Sequence, residues 1–163
     1  MAKKKRPATE RDDREQSPLE LPDRRAMERV MRQLAADLGD EQREETPLDR
    51  AQEVIYQAFD ASAAEQVRLA HQALKISPDC ADAYVLLAEH AKTADEAKEL
   101  YWQGVAAGER AIGGQAFAGH EGHFWGVLET RPYMRARQGL EQREEKSREA
   151  QARCRRRRAA QQG

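Results

Sequence analysis

The chain is predicted to be all-α, on three observations. Four successive segments between residues 47 and 107 carry apolar residues at helical spacing and are joined by short connections. No stretch alternates Val, Ile or Thr with polar residues as a half-buried strand does. A rhythm of small and large residues also recurs about 33 positions apart, the mark of a repeated helical unit.

Taken in order, residues 1–22 are charged, contain Pro7, Pro18 and Pro22, and show no sustained apolar period, so a disordered basic tail is expected. An amphipathic helix follows over 23–39. Asp23 is its cap, Met27, Val30, Met31, Leu34 and Leu38 form one apolar stripe, and Gly39 is the stop. That stripe needs a surface to bury it. Residues 40–46 are a polar linker. Thr46 as N-cap and Pro47 in the first turn open the next helix, which bears Leu48, Ala51, Val54, Ile55 and Ala58. After "DASAA" a second helix carries Val67, Ala70, Ala73, Leu74 and Ile76, and Ser77-Pro78 end it. A third spans about 80–92. Thr93 or Asp95 caps a fourth, with Ala97, Leu100, Tyr101 and Val105. Short connections make these neighbours antiparallel. The glycine-rich segment 108–132 holds Phe117, Phe124, Trp125, Val127 and Leu128, too apolar for a solvated linker. It is expected to fold back on the helices as a long connection with a short helical turn. A last helix starts at Tyr133 with Met134, Ala136 and Leu140. Residues 141–163 then form an Arg-rich helix or tail, with Glu–Lys/Arg neighbours at helical spacing but no face to bury.

Composition agrees with one modest domain between charged tails. Of 163 residues 35% are charged and 39% apolar, with a mean hydropathy of −0.96, too polar for a core along the whole length. The net charge of −1 conceals basic ends, Lys3 to Arg6 and Arg155 to Arg158, around an acidic middle. Basic ends admit nucleic-acid contact, but solvated tails are the commoner cause. Cys80 and Cys154 lie far apart, without a CxxC pair, which fits a reducing compartment. No apolar h-region follows the basic N-terminus, and no run of about 18 apolar residues occurs. A cytoplasmic chain without membrane contact is expected, and the Ala-, Arg- and Glu-rich usage fits a bacterium.

The repeat is legible residue by residue. Ala51, Val54, Ile55 and Ala58 share the offsets of Tyr84, Leu87, Ala88 and Ala91 in the third helix. Ala73 and Leu74, with Pro78 four beyond, then match Ala97, Tyr101 and Gly104 as the second helices of each unit. Ala73, Ala88 and Gly104 let backbones approach, while Tyr84, Leu87 and Tyr101 fill the space between them. Two such units and the start of a third resemble the tetratricopeptide repeat. Beyond that, "ISPDCADAYVLLAE" and the EAxxLYxxGVxAGE helix are similar to the repeat core of the suppressor-of-tumorigenicity seven family. The likeness is greatest to its soluble bacterial relatives. "GHFWGVLETRPYMRARQGL" resembles the segment linking two repeats in those relatives. The resemblance covers 47–140, more weakly 24–35. It departs after residue 140, where Glu141, Gln142, Arg143, Glu144 and Glu145 replace the apolar residues of a continuing helix. Either the charged helix caps the stack or the chain is shortened or altered there; the second is expected.

Chemistry-bearing motifs are weak. His120 and His123 in "HEGHF" are three apart, whereas zinc-protease histidines must be four apart on one helix, so no metal site is expected. His71 and His90 read as helix-surface or groove positions. No phosphate-binding loop, dinucleotide fingerprint or nucleophile elbow occurs. Cys80 starts a helix, but Asp79 and Asp82 oppose a thiolate. No catalysis and no cofactor are expected. The arginine run lacks the interleaved aromatics of a single-strand binder, and nucleic acid remains the alternative partner.

The resemblance implies that the exposed side of the first helix in each unit lines a concave peptide-binding face. That places Asp49, Gln52, Tyr56 and Phe59 there from one unit, and Asp82, Val85, Glu89 and Lys92 from the next. An aromatic pair beside carboxylates suits a protein or peptide segment with an apolar anchor and a positive charge. The competing expectation is that Tyr56 and Phe59 pack under the apolar stripe of helix 24–38.

Overall fold

The computed structural model describes residues 24–38, 44–114 and 124–161, with only the backbone of Arg24, Ala36 and Trp125. The expected tail 1–22, the Asp23 cap, Gly39, most of the 40–46 linker and the "HEGHF" stretch with Phe117 lie outside these residues up to Phe124. The described residues form six α-helices and no strand: α1 Arg24–Leu38, α2 Pro47–Ala58, α3 Ala63–Ile76, α4 Ala81–Glu89, α5 Ala94–Ile112 and α6 Arg131–Ala160. Short 3-10 turns over Phe124–Gly126 and Leu128–Thr130 lead into α6. The fold class is all-α, as predicted.

Local signals set the helix ends. The Thr46 hydroxyl accepts from the Asp49 N–H at 3.1 Å, and the Asp49 carboxylate accepts from the Thr46 N–H at 3.0 Å, a reciprocal cap ahead of α2. Thr93 caps α5 in the same way, its hydroxyl accepting from the Glu96 N–H at 3.1 Å. Glu96 reaches back to the Lys92 N–H at 3.0 Å, which locks the turn and ends α4 at Glu89 rather than near residue 92. Ala91 therefore lies in the turn, packed at the edge of the second core cluster.

Two apolar clusters hold the hairpins together. One joins α2, α3 and α4 through Ala51, Ile55, Ala58, Leu69, Ala70, Ala73, Ala83, Leu86 and Leu87, with Val54 and Leu74 at its margin. The other joins α4, α5 and α6 through Val85, Ala88, Ala97, Tyr101 and Ala136. Helix α4 is buried on both sides and so is apolar nearly all round. Each fully buried large side chain, such as Ile55 or Leu86, contributes about 1.5–3 kcal/mol. Among the described residues, none of α1 belongs to either cluster.

Gly104 lets backbones approach as expected, and Gly108, expected in a connection, serves the same helix crossing instead. Helix α5 continues through Gly104 and Gly108 to Ile112, because α6 lies almost on its backbone. A Cβ on Gly104 would stand 3.1 Å from Ala136 Cβ and 3.2 Å from Tyr84 Cβ. One on Gly108 would stand 2.7 Å from Tyr133 Cβ. On the facing helix, the Tyr101 ring occupies the space a Gly139 side chain would take. Beyond Leu140, α6 continues as an exposed helix tied along itself by Glu144–Arg148 at 3.5 Å and Glu149–Arg153 at 3.3 Å.

This crossing gives a direct test. Gly108→Ala gains about 0.5–1 kcal/mol of helix propensity, but overpacking against Tyr133 costs about 1–3 kcal/mol. Its melting temperature should fall by several degrees in circular dichroism. Gly114→Ala, with nothing within 4 Å of its added methyl, should not lower it.

Candidate functional site

The first helices of the hairpins, α2 and α4, lie in a row with α6, and their inner faces form a groove. Helix periodicity puts Gln52 and Tyr56 one turn apart on α2, Asp82 in the first turn of α4 and Arg135 in the second turn of α6. Arg135 Nε donates to Asp82 Oδ1 at 2.8 Å and Nη2 to Oδ2 at 2.5 Å, a two-pronged contact. Gln52 donates to the same Asp82 Oδ2 at 2.8 Å. The other edge of the Arg135 guanidinium meets Glu28 of α1, Nη1 to Oε2 at 2.6 Å and Nη2 to Oε1 at 3.1 Å. Tyr56 OH donates to Glu28 Oε1 at 3.4 Å, and Arg131 stands 4.0 Å from Oε2. Asp82 and Glu28 are only 2% and 3% exposed, so this is a charge cluster inside the protein.

Burial alone would favour the neutral form of Asp82, but its partners reverse the outcome. Burial raises the Asp82 pKa; Arg135, and then the Gln52 hydrogen bond, outweigh it and hold Asp82 below the ordinary carboxylate range. Burial likewise opposes the Arg135 charge, and Asp82 with Glu28 raises its pKa above the ordinary guanidinium value. Burial pushes the Tyr56 phenol up to about 12, Arg32 opposing and the two carboxylates adding to the rise. All these groups keep their charge states across neutral pH.

Helix α1 lies along this groove by its charged side. Glu28 is the central anchor, with Arg25 and Arg32 about one turn to either side. Arg25 donates to Glu89 at 2.6 Å, and its Cζ sits 4.8 Å from the centre of the Phe59 ring. Arg32 stands 3.6 Å from Asp49 and 5.8 Å from the centre of the Tyr56 ring. Tyr56 and Phe59 are thus covered by α1, but by its charges. The apolar stripe expected to do so faces outward, with Met27, Val30, Met31, Leu34 and Leu38 between 39% and 79% exposed. The reason is the triad: rolling the helix over would leave Arg135 short of a carboxylate in a buried position.

The structure brings Asp49, Tyr56, Phe59 and Glu89 to α1, and joins Gln52 and Asp82 to it through Arg135. Val85 and Lys92 do not join them. Val85 is 5% exposed and packs in the second core cluster beside Ala136, because α6 lies where the groove was drawn wider. Lys92 is exposed in the α4–α5 turn. Of the packing set, Ala51, Ile55, Ala58, Ala73, Leu87, Ala88, Ala97, Tyr101 and Gly104 are buried, while Val54, Leu74, Tyr84 and Ala91 are half-buried and Pro78 is exposed. Sequence reasoning missed Arg135, Glu28, Arg25 and Arg32. Extending the groove register into the helix begun at Tyr133 was the available signal for Arg135. A cleft of about 240 Å³ opens beside the groove, lined by Arg32, Asp49, Gln52 and Tyr133 among others. Arg32 Nε is, among the described residues, the one buried side-chain polar atom without a hydrogen-bond partner.

Cys80 lies beneath the groove, fully buried, its Sγ 3.8 Å from Gln52 Oε1. Burial first, then the charge of Asp82, pushes its thiol up to about 12. His71 is exposed, and a ring nitrogen of His90 sits 2.6 Å from Gln66 Oε1. Among the described residues no cluster of His, Cys, Asp and Glu could hold a metal ion, and no helix is long and apolar enough to cross a membrane.

The geometry defines a class: stacked helical hairpins whose inner face carries an ion cluster and holds a charged helix. The chain belongs to the ST7 protein family, whose model matches residues 41–123, just over half of its length. This is the family its repeat core resembles. Comparisons with curated proteins and with solved structures find no match.

Two outcomes test the site. At pH 8 an aromatic disulfide reagent should titrate exposed Cys154 at once and Cys80 only after denaturant is added. Two fast thiols would contradict the burial. Asp82→Asn should lower stability at neutral pH by about 3 kcal/mol, the lower end for breaking a buried pair, because Arg135 keeps Glu28. A carboxyl with a depressed pKa stabilises above its unfolded pKa and loses that contribution as pH falls through its folded one. In urea denaturation the gap between wild type and variant should therefore be constant above about pH 5 and shrink as pH falls from about 4 through the depressed folded pKa of Asp82.

Proposed function

We propose that the chain is a non-catalytic protein-interaction scaffold of tetratricopeptide-like hairpins, holding a helical segment in its concave face. One observation carries this reading: a charged helix already lies there, seated by side-chain ion pairs and contributing nothing to either apolar cluster. The seat is polar, with Glu28 meeting Arg135, Arg25 meeting Glu89 and Phe59, and Arg32 meeting Asp49 and Tyr56. It therefore selects a docking face that reads arginine, glutamate, arginine at i, i+3 and i+7. On this reading α1 is the segment the groove holds within the chain, and a partner helix of the same pattern competes with it.

The test uses the full chain. Arg25→Glu with Arg32→Glu should loosen α1, since both changes oppose like charges at Glu89 and Asp49. A fluorescently labelled peptide of residues 24–38 should then bind this variant, and bind wild type at least about tenfold more weakly because α1 competes there. Adding Glu89→Lys should remove the binding. If the loosened variant gives no anisotropy change, the groove is not a recognition site.

A further inference from the structure

Helix α1 has a second face, and nothing in the groove uses it. Of the six large hydrophobic side chains exposed among the described residues, Met27, Val30, Met31, Leu34 and Leu38 all belong to this stripe; the sixth, Trp102, stands alone on α5. Glu28, Arg25 and Arg32 pin the opposite side, so the stripe cannot roll inward without emptying the buried cluster. An apolar face held outward in this way is a presented surface.

Charge and spacing together select what covers it. Arg25, Glu28 and Arg32 point into the groove and Arg29 pairs with Asp60 at 3.5 Å. Asp37, beside the stripe, accepts from Gln33 at 3.2 Å. Ala26 and Ala35 are the small residues on its flanks. The described outward side thus offers a single exposed arginine, Arg29, already paired, fewer cations than an anionic membrane surface or nucleic acid would require, and it carries no block of like charge that would repel a copy of itself. Met27, Met31, Leu34 and Leu38 are spaced four, three and four apart, the seam of a two-helix coiled coil. Read in reverse, the intervals are the same. A second α1 running antiparallel about a two-fold axis therefore sets Met27 against Leu38 and Met31 against Leu34.

We propose that the apolar face of α1 docks on the α1 of a second copy of this chain, antiparallel, to form a homodimer. The inward face of α1 stays in its own groove while the outward one pairs, so the dimer needs no partner in the groove and is linked to the seated state of α1. Three turns of helix bury less than the roughly 1,200 Å² at which standard interfaces begin, so the dimer is weak and concentration-dependent.

Sedimentation velocity of the full chain across a concentration series tests this. The weight-average mass should rise from 18.5 kDa, that of one chain, towards twice that value. Met31→Lys and Leu34→Lys, at exposed positions that leave the fold intact by circular dichroism, should each raise the dissociation constant at least about tenfold. Trp102→Ala should not change it. In a Cys154→Ser background, a mixture of Met31→Cys and Leu34→Cys chains should cross-link under mild oxidation better than either variant alone. A single-chain mass at every concentration overturns the proposal, whether the stripe is bare or covered by another part of the same chain. A dimer indifferent to Met31 and Leu34 overturns it as well, and so does dominant cross-linking of Leu34→Cys to itself, which would mean parallel helices.

Discussion

The guanidinium of Arg135 decides how three helices meet. It lies between Asp82 of α4 and Glu28 of α1, bonded to both carboxylates, in a place where neither acid sees much solvent. A buried ion cluster of this kind adds little net stability over an apolar replacement, because desolvation offsets most of the attraction. What it does supply is direction. An apolar contact tolerates a slide of a turn or a roll of a helix, whereas a two-pronged guanidinium contact is satisfied in one register. Arg135 can reach Asp82 because α6 is drawn close by Gly104 and Gly108, and α1 takes its orientation from Arg135 in turn. The chain of dependence runs from two glycines on α5, through one arginine on α6, to the outward-facing stripe of α1.

What could be read from the sequence follows the range of the interaction involved. Thr46-Pro47, Ser77-Pro78 and Thr93 act within one turn, and the helix ends they announce are where the structure has them, apart from the early close of α4 by Glu96. The small-and-large rhythm of α2 to α5 was legible because each hairpin packs against its sequence neighbour. Gly104 was read as a close-approach position, but Gly108 was misread for a physical reason. Glycine disfavours a helix by its own propensity, and only the presence of α6, more than twenty residues later, makes its missing side chain an advantage. The same holds for Val85, which looks like a groove residue until α6 lies against it.

Helix α1 shows the limit of periodicity most clearly. Its apolar stripe is a sound reason to expect burial, and the stripe is nonetheless exposed. Periodicity finds the face of a helix that differs from the rest. It does not say which face is attached. Glu28 is attached because its partner lies 107 residues away, and no local pattern in α1 records that partner. The groove residues Asp49, Gln52, Tyr56 and Glu89 were reachable because they share one repeat register. Their occupant was not, because it comes from outside the repeat.

A helix seated by its polar face and apolar on the other reverses the usual arrangement of a helix in a groove, where apolar anchors go in and charges face water. The reversal has consequences for both surfaces. Inside, the contacts are ion pairs of graded exposure: Arg25–Glu89 and Arg32–Asp49 are partly open to solvent and screened by salt, while Glu28–Arg135 is shielded. Loosening α1 therefore begins at its flanks and ends at Glu28. Outside, the stripe is exposed, and the proposed pairing with another α1 would order both helices where they lie. By linkage, such pairing favours the seated state of α1 over the released one. On the proposed function, a competitor for the groove would then face a helix held from both sides, and the two faces of α1 would set its affinity together.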